Sequence, residues 1–151
     1  MEENEEFSIC GHGGDILTIA YAEVYGFPDE TCHWGGYDVR AKININAGDF
    51  SVVSDFYTAT GEVFGLYKQF VSCNEKVMGT VAFASYEGNL KFTATYDFGG
   101  RIEINGTFRA NGQFGNELCF EIITDQTYIQ STIAQMKQLI DKYGDDKGVF
   151  K

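Results

Sequence analysis

The 151-residue chain has a single proline, two histidines and no Lys or Arg before Arg40. Each scarcity excludes something. One proline leaves no room for Pro-rich linkers, so the 18 glycines must punctuate the chain. No run approaches the ~18 apolar residues that would span a membrane. The start, "MEENEEF", is the reverse of a secretory signal with its basic n-region and apolar core, which sets the expectation of a cytoplasmic protein. In that compartment the four cysteines read as reduced thiols. P-loop, G-x-G-x-x-G, H-E-x-x-H and G-x-S-x-G motifs are all missing, and no carboxylate spacing singles out an acid–base pair. The reading is therefore a protein that is not an enzyme and carries no cofactor. With eleven bases and no basic cluster, a nucleic-acid partner is disfavoured, as is a membrane surface.

Hydrophobic residues make up 44% of the chain and aromatics 15%. That is enough for one domain over 1–151, burying roughly 70% of the surface its unfolded form exposes. Net charge is −11, and it is unevenly placed. Nine of the 22 acids (Glu2, Glu3, Glu5, Glu6, Asp15, Glu23, Asp29, Glu30 and Asp38) precede the first base. The remaining 13 nearly balance the 11 bases. An acidic segment over 1–39 reads either as a solvated face or as a surface aimed at a basic partner.

Period-two alternation predicts strands. "VRAKINI" puts Val39, Ala41, Ile43 and Ile45 on one face, "NAGD" turns the chain, and "FSVVSDFY" returns it. "VMGTVAFA", "LKFTATY", "RIEINGTF" and "ELCFEIIT" repeat the pattern, and "DILTIAYAEV" precedes it. The short Gly- and Asn-rich breaks require antiparallel neighbours. An inserted helix is predicted over about 60–73, with Thr60 as N-cap and Val63, Phe64, Tyr67, Phe70 and Val71 on one side. A C-terminal helix over about 126–143 starts at Asp125 and ends at Gly144. Its stripe of Ile129, Ile133, Met136, Ile140 and Tyr143 calls for a sheet face to cover. A short polar tail, 145–151, follows. The fold class is α+β, an antiparallel meander or curved sheet of about seven or eight strands, with open sheet, sandwich and barrel as alternatives.

Both histidines sit beside a cysteine and before two glycines, in "ICGHGGDI" and "TCHWGG". Cys10, His12, Cys32 and His33 are thus weak candidates for a zinc site, since Cys10 and His12 share a strand face, but neither pair has a usual ligand spacing. A Cys32–His12 nucleophilic pair lacks any supporting signature. The plainer reading is two surface histidines in turns and packed thiols, Cys119 included. A second function class is a small-ligand-binding β-barrel of lipocalin-like architecture, against which Phe56, Phe83, Phe92, Phe108 and Phe120 read simply as core. A third is a protein-binding module, since the acidic quarter is dense in Tyr21, Tyr25, Phe27, Trp34 and Tyr37.

From "GGYDVRAKININAGDFSV" through "GEVFGLYKQFVSC", "GTVAFASYEGNLKF" and "GRIEINGTF" to "NELCFEIITDQTYIQSTIAQMKQLIDKYG", the segment order resembles the small bacterial immunity proteins of the WapI type. The similarity covers about Gly35 to Gly144, with "SYEGNL" and "TDQTYI" its most distinctive parts. It implies a protein that neutralises the toxic C-terminal domain of a contact-dependent, cell-wall-associated toxin, often a nuclease, without catalysing anything. A basic toxin domain is then the expected partner, and the chain itself a monomer or weak homodimer. On charge and aromatic content, Glu23, Asp29, Glu30, Trp34, Tyr37 and Asp38 are the candidate toxin-facing residues.

Overall fold

Alternating sequence becomes eight strands in the computed structural model, which describes residues 5–111 and 115–149. They are β1 (Glu6–Cys10), β2 (Ile16–Tyr25), β3 (Asp38–Ala47), β4 (Phe50–Ala59), β5 (Thr80–Ala84), β6 (Leu90–Tyr96), β7 (Arg101–Arg109) and β8 (Glu117–Asp125). Helix α1 (Thr60–Lys76) follows β4 and α2 (Gln126–Tyr143) follows β8. The α+β expectation holds, and β1 completes the strand count from inside the acidic quarter. The "RANGQFGN" turn falls partly outside the described residues.

The strands pair in chain order as two four-stranded antiparallel sheets, β1-β2-β3-β4 and β5-β6-β7-β8. Their inner faces share one core: Phe7, Ile19, Ile43 and Phe56 from the first, Leu90, Ile104, Phe108 and Ile122 from the second, each at most 1% exposed. Full burial of one such side chain stabilises the fold by about 1.5–3 kcal/mol. This is a sandwich, one of the three architectures the sequence left open, and the lipocalin-like barrel alternative is set aside. Phe83, Phe92 and Phe120 are core residues too.

Both helices bury much of the expected side, but the most buried residues are shifted around it. In α1 the fully buried apolar residues are Val63, Leu66 and Phe70, while Phe64, Tyr67 and Val71 are half-buried. In α2, Ile129, Met136 and Tyr143 are buried as expected, but Thr132 and Leu139 replace Ile133 and Ile140. The reason is where the helices lie. They pack on each other, α1 against β5 and α2 against β1, along sheet edges and not across a sheet face. An edge offers backbone to hydrogen-bond, so polar residues belong in the stripe. Asp125 caps α2 by accepting the Tyr128 N–H, and Gly144 ends it, as predicted. Thr60 is the first helical residue of α1 and not its cap. There Glu62 reaches back to the Ala59 N–H.

The two halves of the chain repeat one plan of four strands and a helix. Phe7 and Ile9 of β1 match Val81 and Phe83 of β5, and Val39 and Ala41 of β3 match Ile102 and Ile104 of β7. Phe56 and Thr58 of β4 match Ile122 and Thr124 of β8; all twelve are buried. Each helix closes the first strand of the other half with a glutamine at its tenth residue. Gln69 of α1 bonds the backbone of Ala82 in β5. Gln135 of α2 accepts the Ser8 N–H in β1 at 2.7 Å, while Thr132 donates to the Ser8 C=O. Two edges that would otherwise template foreign strands are thereby covered.

Candidate partner-binding surface

The halves diverge most where β2 hands over to β3. The connection runs from Gly26 to Tyr37, whereas its counterpart between β6 and β7 is only Asp97 to Gly100. Local bonds shape the longer loop: Glu30 N–H to Gly26 C=O at 2.7 Å and Cys32 N–H to Gly36 C=O at 2.8 Å. Gly36 sits at φ 64, and a Cβ there would lie 2.1 Å from Thr60 Oγ1. Only glycine fits that close approach to the start of α1.

Tyr37 anchors the loop from below. Its N–H donates to Thr60 Oγ1 at 2.8 Å, its hydroxyl donates to the Pro28 C=O at 2.8 Å, and that oxygen accepts the Val149 N–H at 3.0 Å. The side chain is completely buried, which corrects its placement among partner-facing residues. Phe27 packs edge-on against both Tyr37 and Tyr143, with centroids 5.2 and 4.8 Å away.

Above this anchor lies an exposed layer. Trp34 is 50% exposed and stacks on Tyr86 of the β5–β6 turn, centroids 5.1 Å apart and planes within 2°. The Tyr86 hydroxyl donates to Asp38 Oδ1 at 2.7 Å. Burial, then the Asp38 carboxylate, pushes the Tyr86 phenol up, so it stays a donor. The structure thus joins Trp34 and Asp38 through Tyr86, which is not among the candidate residues. Asp29 and Glu30 are exposed at the loop tip, and Tyr25 and Phe27 add rings that are more than a third exposed. Glu23 stands apart on the outer face of β2. The Arg40 guanidinium donates to it at 2.8 Å and holds its carboxyl below the usual range. Arg40 also reaches Asp55 at 3.3 Å. Glu62, half-buried beneath Tyr86, is pushed up by burial.

The four metal candidates do not converge. Cys10 and His12 lie at the β1–β2 end of ten-residue β2, while Cys32 and His33 lie in the loop after its other end, about 30 Å away at strand rise. No group of three or more metal-competent side chains occurs among the described residues. His12 hydrogen-bonds Asp125 at 2.9 Å, and His33 packs edge-on to Trp34. Cys10 and Cys119 are exposed, which corrects the packed-thiol expectation: each alternates with an inward neighbour, Ile9 or Phe120. Burial raises the Cys32 thiol, the opposite of what a nucleophile needs.

What the arrangement offers is a platform of rings flanked by carboxylates, joined to α1 through Tyr37 and to the β5–β6 turn through Tyr86. The model of the Immunity protein WapI-like family matches residues 8–144, nearly the whole chain, and the chain belongs to that family. No curated protein and no solved structure matches it. It is therefore an immunity protein, whose partner is a protein toxin. The match begins at Ser8 in β1, so Asp15, Glu23, Asp29 and Glu30 lie inside the family's domain, while Glu2, Glu3, Glu5 and Glu6 lie before the matched residues. No described helix is long and apolar enough to cross a membrane.

Proposed function

We propose that this immunity protein works in the cytoplasm, binding the toxic C-terminal nuclease domain of a contact-dependent toxin through the β2–β3 connection. Asp29, Glu30, Trp34 and Asp38 face the toxin, Glu23 stands at the rim, and Tyr37 and Tyr86 hold the surface in shape. One observation carries this reading: where the two matching halves differ most, the longer connection adds two exposed acids, Asp29 and Glu30, and two exposed rings, Phe27 and Trp34. A scaffold needs no such elaboration, as the four-residue counterpart shows. A nuclease holds phosphates with cationic groups. A chain of net charge −11 is attracted to that surface and covers it quickly.

The test is capture of the toxin from native cells at low and high salt, followed by binding kinetics with the purified toxin domain. Replacing Glu23, Asp29, Glu30 and Asp38 by their amides keeps shape and acceptor atoms and removes charge. Association should slow at least tenfold and its salt dependence flatten. An unchanged salt slope would place the contact elsewhere.

A further inference from the structure

At the far end of β3, about 30 Å from that loop at strand rise, the sandwich is open. The glutamine closures protect the β1 and β5 edges, while β4 and β8 are the other two edges of the sheets. Between their first residues runs a groove of about 550 Å³, lined by matching positions of the two halves, Val52 with Leu118 and Ser51 with Glu117. Phe50 has the strand parity of buried Phe56, yet it is 68% exposed, because the core stops short of it. Val53, on the other face of β4, is 78% exposed.

Among the described residues no strand pairs with the outer edge of β4. Ala47 and Phe50 flank the two-residue Gly48–Asp49 turn and pair with each other, which turns the backbone groups of Ser51, Val53 and Asp55 away from β3. The Asp55 C=O confirms the direction: it accepts from Asn111 Nδ2 at 3.5 Å, outside the sheet. No described side chain bonds the outward Ser51 or Val53 backbone groups in this way.

Charge says what fits. The groove continues past Phe50 and Leu118 into a second depression, and the two together are lined by Asp15, Asp49, Glu117 and Glu121, with no Lys or Arg among the lining residues. A second copy of this chain would bring the same acids edge to edge, so self-pairing is repelled. We infer that this groove accepts an extended, lysine- or arginine-bearing segment of a partner protein as an added strand on β4. Val53 would pack its apolar residues on one face of the added strand, and the groove carboxylates would meet its cations on the other. This site is independent of the loop surface above and does not require that reading.

Titrating the ¹⁵N-labelled full chain with an octapeptide of alternating lysine and valine tests it. Shifts should concentrate in Phe50–Asp55 and Glu117–Glu121, and the Ser51 and Val53 amides should gain protection from exchange. The same peptide N-methylated at alternate residues should bind at least tenfold more weakly, since it loses the ladder but keeps every charge. Val53→Pro removes one outward N–H without touching the bonds to β3 and should weaken binding comparably. If that variant fails to fold, Glu117→Lys with Glu121→Lys serves instead. Equal binding of the methylated peptide, or shifts scattered over acids elsewhere, would overturn strand addition.

Discussion

The side-chain amide of Gln69 pairs with Ala82 as a neighbouring strand would. Its Oε1 accepts the Ala82 N–H at 2.8 Å, and its Nε2 donates to the Ala82 C=O at 3.0 Å. A helix thus supplies one rung of a β-ladder to an edge with no strand beside it. Gln69→Leu keeps the helix and removes both bonds. Each is worth about 1 kcal/mol net, and water replaces part of that at this exposed residue, so the expected loss is about 1–2 kcal/mol. In a domain of this size that lowers Tm by several degrees, at roughly 2–4 °C per kcal/mol. Exchange of the Ala82 amide should quicken. A variant with unchanged melting and exchange would show that the closure contributes nothing.

Fold class was legible because strand periodicity is local: the inward sets of β3 and β6 can be read by alternation alone. What escaped was arrangement. The division into two sheets turns on α1 crossing from one to the other, and no residue of "TGEVFGLYKQ" encodes where the chain goes next. The repeated plan was hidden too, because matched core positions differ in identity; Ile43 corresponds to Gly106, whose missing side chain makes room for Phe120. At the candidate surface, charge and ring content singled out the β2–β3 connection, the loop on which the proposed function rests. Tyr37 was misassigned because a buried anchor and an exposed contact look alike in one dimension. Tyr86 was missed because its partners, Trp34 and Asp38, lie about fifty residues away.

Two glycines with the same backbone separate strain from collision. Gly36 and Gly48 sit at φ 64 and φ 61, but a Cβ at Gly48 meets nothing within 4 Å, while one at Gly36 strikes Thr60 Oγ1 and the Gly61 N. Gly48→Ala should cost about 1 kcal/mol, the left-handed term alone. Gly36→Ala should cost at least about 2 kcal/mol more, because Thr60 Oγ1 must give way and it holds the Tyr37 N–H. Urea unfolding of the two variants gives the difference directly. Equal losses would mean the loop is not clamped against α1.

Glu62 makes stability depend on pH in the less usual direction. Burial raises its pKa, although Thr58 and the Ala59 N–H donate to it at 2.9 and 3.2 Å. The folded state therefore keeps its proton to higher pH than the unfolded chain, whose value is near 4.5. Between those two values the folded state binds more protons, so this group's contribution falls as pH rises and is flat above the folded value. Glu62→Gln keeps an acceptor and removes the charge. It should be stabilising at pH 7, and the difference from wild type should shrink as pH falls toward 4.5. Asp125, held low by its His12 hydrogen bond, shifts the total curve the other way, so only the difference between the two proteins is diagnostic. A difference that is flat from pH 4 to 7 would remove Glu62 as its source.

Trp34 is the only tryptophan, which makes the candidate surface directly observable. Replacing it with 5-fluorotryptophan gives a single ¹⁹F resonance from a ring that is half exposed and stacked on Tyr86. When the toxin domain binds, that ring should lose its water-facing side. The resonance should move, and its shift between H₂O and D₂O should largely vanish. Trp34→Ala should weaken binding about thirtyfold, the usual scale for a central aromatic contact, chiefly through faster dissociation. Tyr86→Phe keeps the stack and removes the bond to Asp38, so it should cost less than Trp34→Ala while leaving the fold intact. Together these separate contact from support. A resonance that stays put while the complex forms would exclude the β2–β3 connection as the toxin-facing surface, whatever the charge variants did.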